Sequence, residues 1–340
     1  MWRSDRLASR DPSSSAPPSR RRFLQALPLA AVAAAACQRP PYRRQDFVVP
    51  ARSPVALLPA ESYDGNLADV VLRGLSALGQ DVRGRRVFLK PNMVEYWPDK
   101  AVNTDTRLVA AAADAMLKAG AREVVIGEGP GHRRDMEYLL EGSGMREVVK
   151  NMRLRFVDLN HDDVRRVALK CNYTEFGSVW LPVSLLQADY VVSMPKLKTH
   201  HFAGMTASMK NLFGTMPGAV YGWPKNPLHF HGIEQSIVDL AATIKPHLAI
   251  VDAVLAMEGD GPIMGKPRQV GFVGMGTDLV ALDATCARVI GLDPSKMAYI
   301  SVAAEFLGNL DVDKIEHRGE QLQRYQTQFE VIESMKKFRV

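Results

Sequence analysis

The sequence predicts an α/β fold, a mainly parallel sheet with flanking helices, and two observations predict it. Short apolar runs rich in Val, Ile and Leu alternate with stretches of helical periodicity, and polar or charged residues stand directly after several of these runs. In open α/β sheets ligands gather just beyond the carboxyl ends of the strands, so the second observation bears on function as well as fold. Composition agrees, since 46% of the 340 residues are hydrophobic and 24% charged, as in a globular protein with a substantial core.

From the N-terminus, residues 1–36 read as a leader. SRRRFLQALPLAAVAAAAC sets Arg20, Arg21 and Arg22 before Phe23 and Leu24, then an Ala-rich run of about 14 residues, shorter than the roughly 20 that span a bilayer. The order is similar to a twin-arginine export signal, which implies engagement of the twin-arginine export machinery and a place in the periplasm or cell envelope. AAAC resembles a lipobox, with Ala34 where leucine is usual; acylation of Cys37 would give a lipid anchor, and ordinary cleavage after small residues is the alternative. Six arginines and two aspartates precede Cys37, so +4 of the formal +6 belongs to the leader and +2 to the rest. With no aromatic-interleaved basic stripe elsewhere, the charge does not argue for a nucleic-acid partner. Of the three cysteines, Cys171 and Cys286 remain for the body of the protein, and no CxxC spacing occurs.

Residues 37–50, containing QRPPYRRQDFVVP, read as a tether, 51–310 as the α/β domain and 311–340 as a C-terminal segment. Strands are expected at 55–58, 87–89, 124–126, 154–157, 190–192, 248–251 and 270–273. Helices are expected where Leu108, Ala112, Ala115 and Ala119 share a face, and likewise Ile233, Ile237, Leu240 and Ile244. Leu322, Tyr325, Phe329 and Ile332 carry helical spacing and predict a docked terminal helix.

The strand ends are chemically loaded. LKPN places Lys90 and Asn92 after one run, GEGPGH places Glu128 and His132 after another, and MPKLKTH places Lys196, Lys198 and His200 after a third. IVDA, MEGDGP and GMGTDLVALD add Asp252, Glu258, Asp260, Asp278 and Asp283, for which structural hydrogen bonds and ligand contacts are both open, Asp278 also standing where it would cap a helix. The third stretch, SMPKLKTHHFAGMTASMKNLFG, holds Lys196, Lys198, Lys210, His200 and His201, and no acid occurs between Asp189 and Glu234. If the chain stays extended after Pro195, Lys196, Lys198 and His200 point to one side. A helical turn capped by Thr206 and ended by Gly214 would follow, with Lys210 and Asn211 off its apolar face. Lysines among so many Met, Leu and Phe residues must lose their charge or meet an anion.

FLKPNMV, IGEGPG, MPKLKTH, SMKNLFG, IVDAVLAMEGDGPIMG and DLVALDA, in that order, resemble the bacterial family called domain of unknown function 362, over roughly residues 87–292. The resemblance implies an α/β fold and no established reaction. Some relatives join this domain to ferredoxin-like cysteine clusters, which this chain lacks. A second, local stretch is similar to nickel-pincer lactate racemases: His200, Lys210 and the pair His229/His231 stand in comparable order, although the spacing at His200, His201 and Phe202 departs. That similarity implies racemase-like chemistry with Lys210 tethering a nickel–nucleotide cofactor, His200 moving a proton, and His229 or His231 binding metal. Read without it, HFH at 229–231 is two histidines on one face of a strand.

These readings converge on an exported enzyme acting on a small anionic substrate. Lys90, Asn92, Lys196, Lys198, Lys210 and Asn211 would bind the anion, and Glu128, His200, Asp252 and Lys210 would supply acid/base or covalent chemistry. The alternative is a non-catalytic envelope lipoprotein that holds an anionic ligand or cofactor.

Overall fold

All seven expected strands form, because both faces of the sheet are covered and each strand can be apolar throughout. The computed structural model of the chain describes residues 41–131, 135–223 and 225–340. The expected leader, Cys37 and His132 lie outside those residues.

Strands β1 (Ser53–Pro59), β2 (Arg86–Pro91), β3 (Glu123–Glu128), β4 (Arg155–Asp158), β7 (Tyr190–Met194), β10 (Leu248–Glu258), β11 (Lys266–Gly276) and β12 (Ile315–Gly319) form one sheet in the order β12-β1-β11-β10-β7-β2-β3-β4. Only β11 runs against its neighbours β1 and β10, and β10-β7-β2-β3-β4 is parallel throughout. Two strands branch from this path: β8 (Lys196–His200) pairs with β10, and β9 (Gly204–Thr206) with β8. A separate hairpin joins β5 (Val164–Ala168) to β6 (Ser178–Pro182).

Alternation along each strand feeds two cores. On β1, Val55 and Leu57 enter one core while Ala56 and Leu58 enter the other; on β10, Ala249 and Val251 oppose Leu248 and Ile250 in the same way. The helices Leu67–Ala77 and Thr106–Lys118 cover the second face, the latter started by Asp105, whose side chain accepts from Arg107 N. Ile233–Ile244 and Leu279–Val289 cover the first face, and Asp278 caps the latter through Ala281 N.

Two expectations are corrected. The terminal helix does not form: 322–338 is an extended strap with the short 3₁₀ turns Leu322–Arg324 and Glu333–Phe338. Leu322, Tyr325 and Phe329 are buried as their spacing implied, but Thr327 N and Phe329 N donate to the carbonyls of Val289 and Ile290, which fixes the backbone to a helix end. The short helix after β9, Ser208–Asn211, is not capped by Thr206. A carboxylate from the next layer, Asp283, accepts from Ser208 N, Ser208 Oγ and Met209 N. The stretch expected as a tether packs Tyr42 on Phe306 and buries Phe47.

Candidate functional site

Lys90 is the penultimate residue of β2 and Glu128 the last of β3, so parallel pairing sets them together at the sheet's carboxyl edge. Lys90 Nζ donates to Glu128 Oε2 at 2.7 Å, to Asn211 Oδ1 at 3.1 Å and to the Pro91 carbonyl at 2.9 Å. Glu128 also accepts Met93 N on Oε2 and Gly129 N on Oε1. Burial pushes the Lys90 ammonium down and Glu128 opposes that. A Cβ at Gly214 would collide with Glu128 Oε1 and Lys90 Nζ, so only glycine lets the backbone close over the pair.

β8 stays extended, as expected, and its register with β10 sets Lys196 beside Asp252. Lys196 Nζ donates to Asp252 Oδ2 at 2.6 Å, to Tyr63 Oη at 2.8 Å and to the Leu255 carbonyl at 3.0 Å. Tyr63 Oη in turn donates to Asp252 Oδ1, and Asp105 N donates to Oδ2. This buried knot faces a cavity of about 330 Å³ that it shares with Thr104 and Tyr96.

Two residues further along, Lys198 faces a different cavity, of about 160 Å³, whose wall includes Asn92, Glu128, Lys198, Lys210, Asn211 and Lys225. Lys198 is fully buried yet, among the described residues, donates only to the Val102 carbonyl, at 2.7 Å. Burial, then Lys210, then Lys196 drive its pKa well down. Lys210, held by the Asp283-capped helix, has no hydrogen-bond acceptor among the described residues; its Nζ stands 5.0 Å from the Phe213 ring centroid. Burial and then the Lys90 charge push Lys210 down to about 8. Asn92 is also buried there, and its side-chain oxygen meets no donor among the described residues.

Lys225 was not anticipated from sequence. Its backbone sits in the left-handed region (φ 67°), and its Nζ donates to the Gly129 carbonyl at 2.6 Å, with those of Gly214 and Phe213 at 3.3 and 3.4 Å. Burial pushes it down to about 7, against the attraction of Glu128.

The structure therefore gathers Asn92, Glu128, Lys198, Lys210, Asn211 and His229 at one cavity, sets Lys90 directly behind its wall, and puts Lys196 at another with Asp252 buried behind it. His200 is buried but off the wall. Its Nδ1 accepts from Phe202 N and Ala203 N, which leaves the proton on Nε2, and burial keeps the ring neutral. The histidines of HFH do not share a strand face. Pro227 in the first turn starts the helix Asn226–Phe230, with His231 as its C-cap. His229 accordingly meets Phe213 at the cavity, while His231 lies against Phe176.

The cavity is small for a metal–nucleotide cofactor. No three His, Cys, Asp or Glu side chains converge on a metal position among the described residues, and the cavity is below the roughly 300 Å³ from which pockets for drug-sized ligands begin. It does fit a small anion.

Residues 87–288 match the family model described as "Domain of unknown function (DUF362)". The thylakoid-associated protein sll1697 of Synechocystis sp. (strain ATCC 27184 / PCC 6803 / Kazusa) is 32% identical over 265 residues, covering 75% of this chain and 79% of that protein. The lactate racemase apoprotein of Thermoanaerobacterium thermosaccharolyticum superposes with a TM-score of 0.42 at 14% identity, over 72% of this chain and 59% of that one. A Thermotoga maritima protein gives 0.38 at 12% identity, over 65% and 57%. The chain thus spans under two thirds of the length of either solved structure, and likeness at this level carries nothing about site chemistry. The matched span and the cyanobacterial relative's identity lead to one conclusion: the chain belongs to the DUF362 family.

Proposed function

We propose that this protein is an exported enzyme acting on a small carboxylate or phosphate held between Lys198 and Lys210. The observation that carries the reading is a pair of lysines with incomplete acceptor sets at one cavity: among the described residues, half-buried Lys210 has no acceptor and buried Lys198 has one. An unpaired buried charge is costly, and an anionic ligand supplies the missing partner. The unsatisfied side-chain oxygen of Asn92 calls for a donor on that ligand, such as a hydroxyl beside the anionic group.

In this reading Lys198 holds the anion, while Lys210, whose pKa lies near 8, gives and takes a proton close to neutral pH. Lys90 and Glu128 keep the wall in place and fix Asn211. One observation favours the rival, a non-catalytic binder: Glu128 and Asp252 have their lone pairs occupied by protein donors, so neither is a free base.

Solvent-exchange mass spectrometry separates the two readings. Anions that calorimetry shows to bind are incubated with the protein in D₂O; wild type should introduce deuterium into one of them, and Lys210→Arg should bind it without exchange, because guanidinium stays protonated. Binding without exchange in wild type leaves the binder reading in force.

Export is part of the proposal. Arg20, Arg21, Arg22 and Cys37 support it, and the cyanobacterial relative's description associates that protein with thylakoids. Replacing the three arginines with lysine should leave full-length precursor in the cytoplasm, and normal processing of that variant would overturn it.

A further inference from the structure

Exposed apolar side chains on the segments that build the Lys198/Lys210 cavity point to the rest of the ligand. Three segments that build the wall each expose a large apolar side chain: Phe202 at 62%, Phe230 at 83% and Met264 at 60%. None lines the cavity itself, but each adjoins a wall segment in sequence or by contact. Phe202 packs edge-on to His201 at 4.3 Å, and His201 Nδ1 lies 2.9 Å from the Gly261 carbonyl, from which the chain passes through the wall residues Pro262 and Ile263 to Met264. Phe230 directly follows His229 of the wall. Lys100 Nζ lies 3.4 Å from Met264 Sδ and 5.0 Å from the Trp97 ring, which borders the neighbouring cavity. Single exposed apolar residues need no explanation, but three on the segments that build one polar cavity do.

We propose that the ligand is an amphiphile: its anionic group enters the cavity to meet Lys198 and Lys210, and an apolar chain extends over Phe202, Phe230 and Met264. Charge complementarity selects the anionic end, and a cavity of about 160 Å³ leaves the remainder of any larger molecule outside, where these apolar side chains are exposed. This rests on the anion-site reading above and adds the chemistry of what is attached to the anion.

The test is calorimetric titration of the mature protein with inorganic phosphate, acetate, and two series of rising chain length, ethyl, butyl and hexyl phosphate and butanoate to octanoate. Affinity should rise in at least one series, by roughly threefold for each methylene laid on those apolar side chains. Phe230→Ser with Met264→Ser should flatten that slope, whereas Val312→Ser, at an exposed apolar residue next to β12, should keep it. Hexyltrimethylammonium, with the same chain and the opposite charge, should not bind. Affinity independent of chain length, with the short anions bound and dependent on Lys210, overturns the amphiphile and spares the anion site. Absence of binding by every phosphate and carboxylate overturns both.

Discussion

Lys196 and Lys198 leave the same strand two residues apart, both buried, and reach opposite electrical conditions. Every Lys196 proton has a protein acceptor within 3.0 Å, one of them a carboxylate, whereas among the described residues Lys198 has a single carbonyl and its cavity neighbour Lys210 has none. The difference teaches that burial of a lysine does not mark a binding site; an incomplete set of acceptors does. Lys196–Asp252–Tyr63 fastens β8 and β10 to the loop after β1, and the Lys198/Lys210 side keeps its hydrogen-bonding capacity for something else.

Removing the ammonium on each side should sharpen that contrast. Lys196→Met leaves the Asp252 carboxylate buried without its cation, and urea denaturation should show a loss of about 3–5 kcal/mol. Lys210→Met removes a charge that the apoprotein does not compensate. A pKa lowered from 10.5 to about 8 corresponds to a gain of roughly 2–3 kcal/mol at pH 7, together with loss of anion binding. If both variants lose stability equally, the two lysines are not different in kind.

The same shift sets a pH dependence. The folded-state pKa of Lys210 is depressed, so between about 8 and 10.5 the unfolded chain holds more protons, and wild-type stability should rise with pH across that window. Lys210→Met should lack this component. Affinity for a phosphate probe runs the other way, falling up to tenfold per unit as Lys210 discharges above pH 8; a flat profile from pH 7 to 10 would place the anion elsewhere. The smallest effect belongs to Lys118, whose partner Asp114 is likewise solvent-accessible: Lys118→Ala should change stability by no more than about 0.5 kcal/mol and leave binding alone.

Much of this was legible in the chain itself. The strands were readable because a sheet covered on both faces writes continuous apolar runs, and Lys90, Glu128 and Lys198 stood at or just past their ends. What stayed hidden was non-local. Nothing around Lys225 announces that its partners are backbone carbonyls of 129, 213 and 214, and nothing near Ser208 announces a cap supplied from Asp283. The HFH segment did carry a signal that was passed over, since Pro227 in a first turn favours a helix. Helical spacing misled at 322–332, where burial is real but the donors bond to another element.

The pairing of β12 with β1 has a consequence for how the molecule is made. β1 is among the first strands synthesised and β12 among the last, so the sheet's outer neighbour for Val55, Ala56 and Leu57 is supplied only near the end of translation. Until then β1, an apolar strand, keeps an open edge of the kind that invites pairing with other chains. Nascent chains truncated before Ile315 should accordingly depend on holdase chaperones, and the complete protein should be released from them once its final segment has docked.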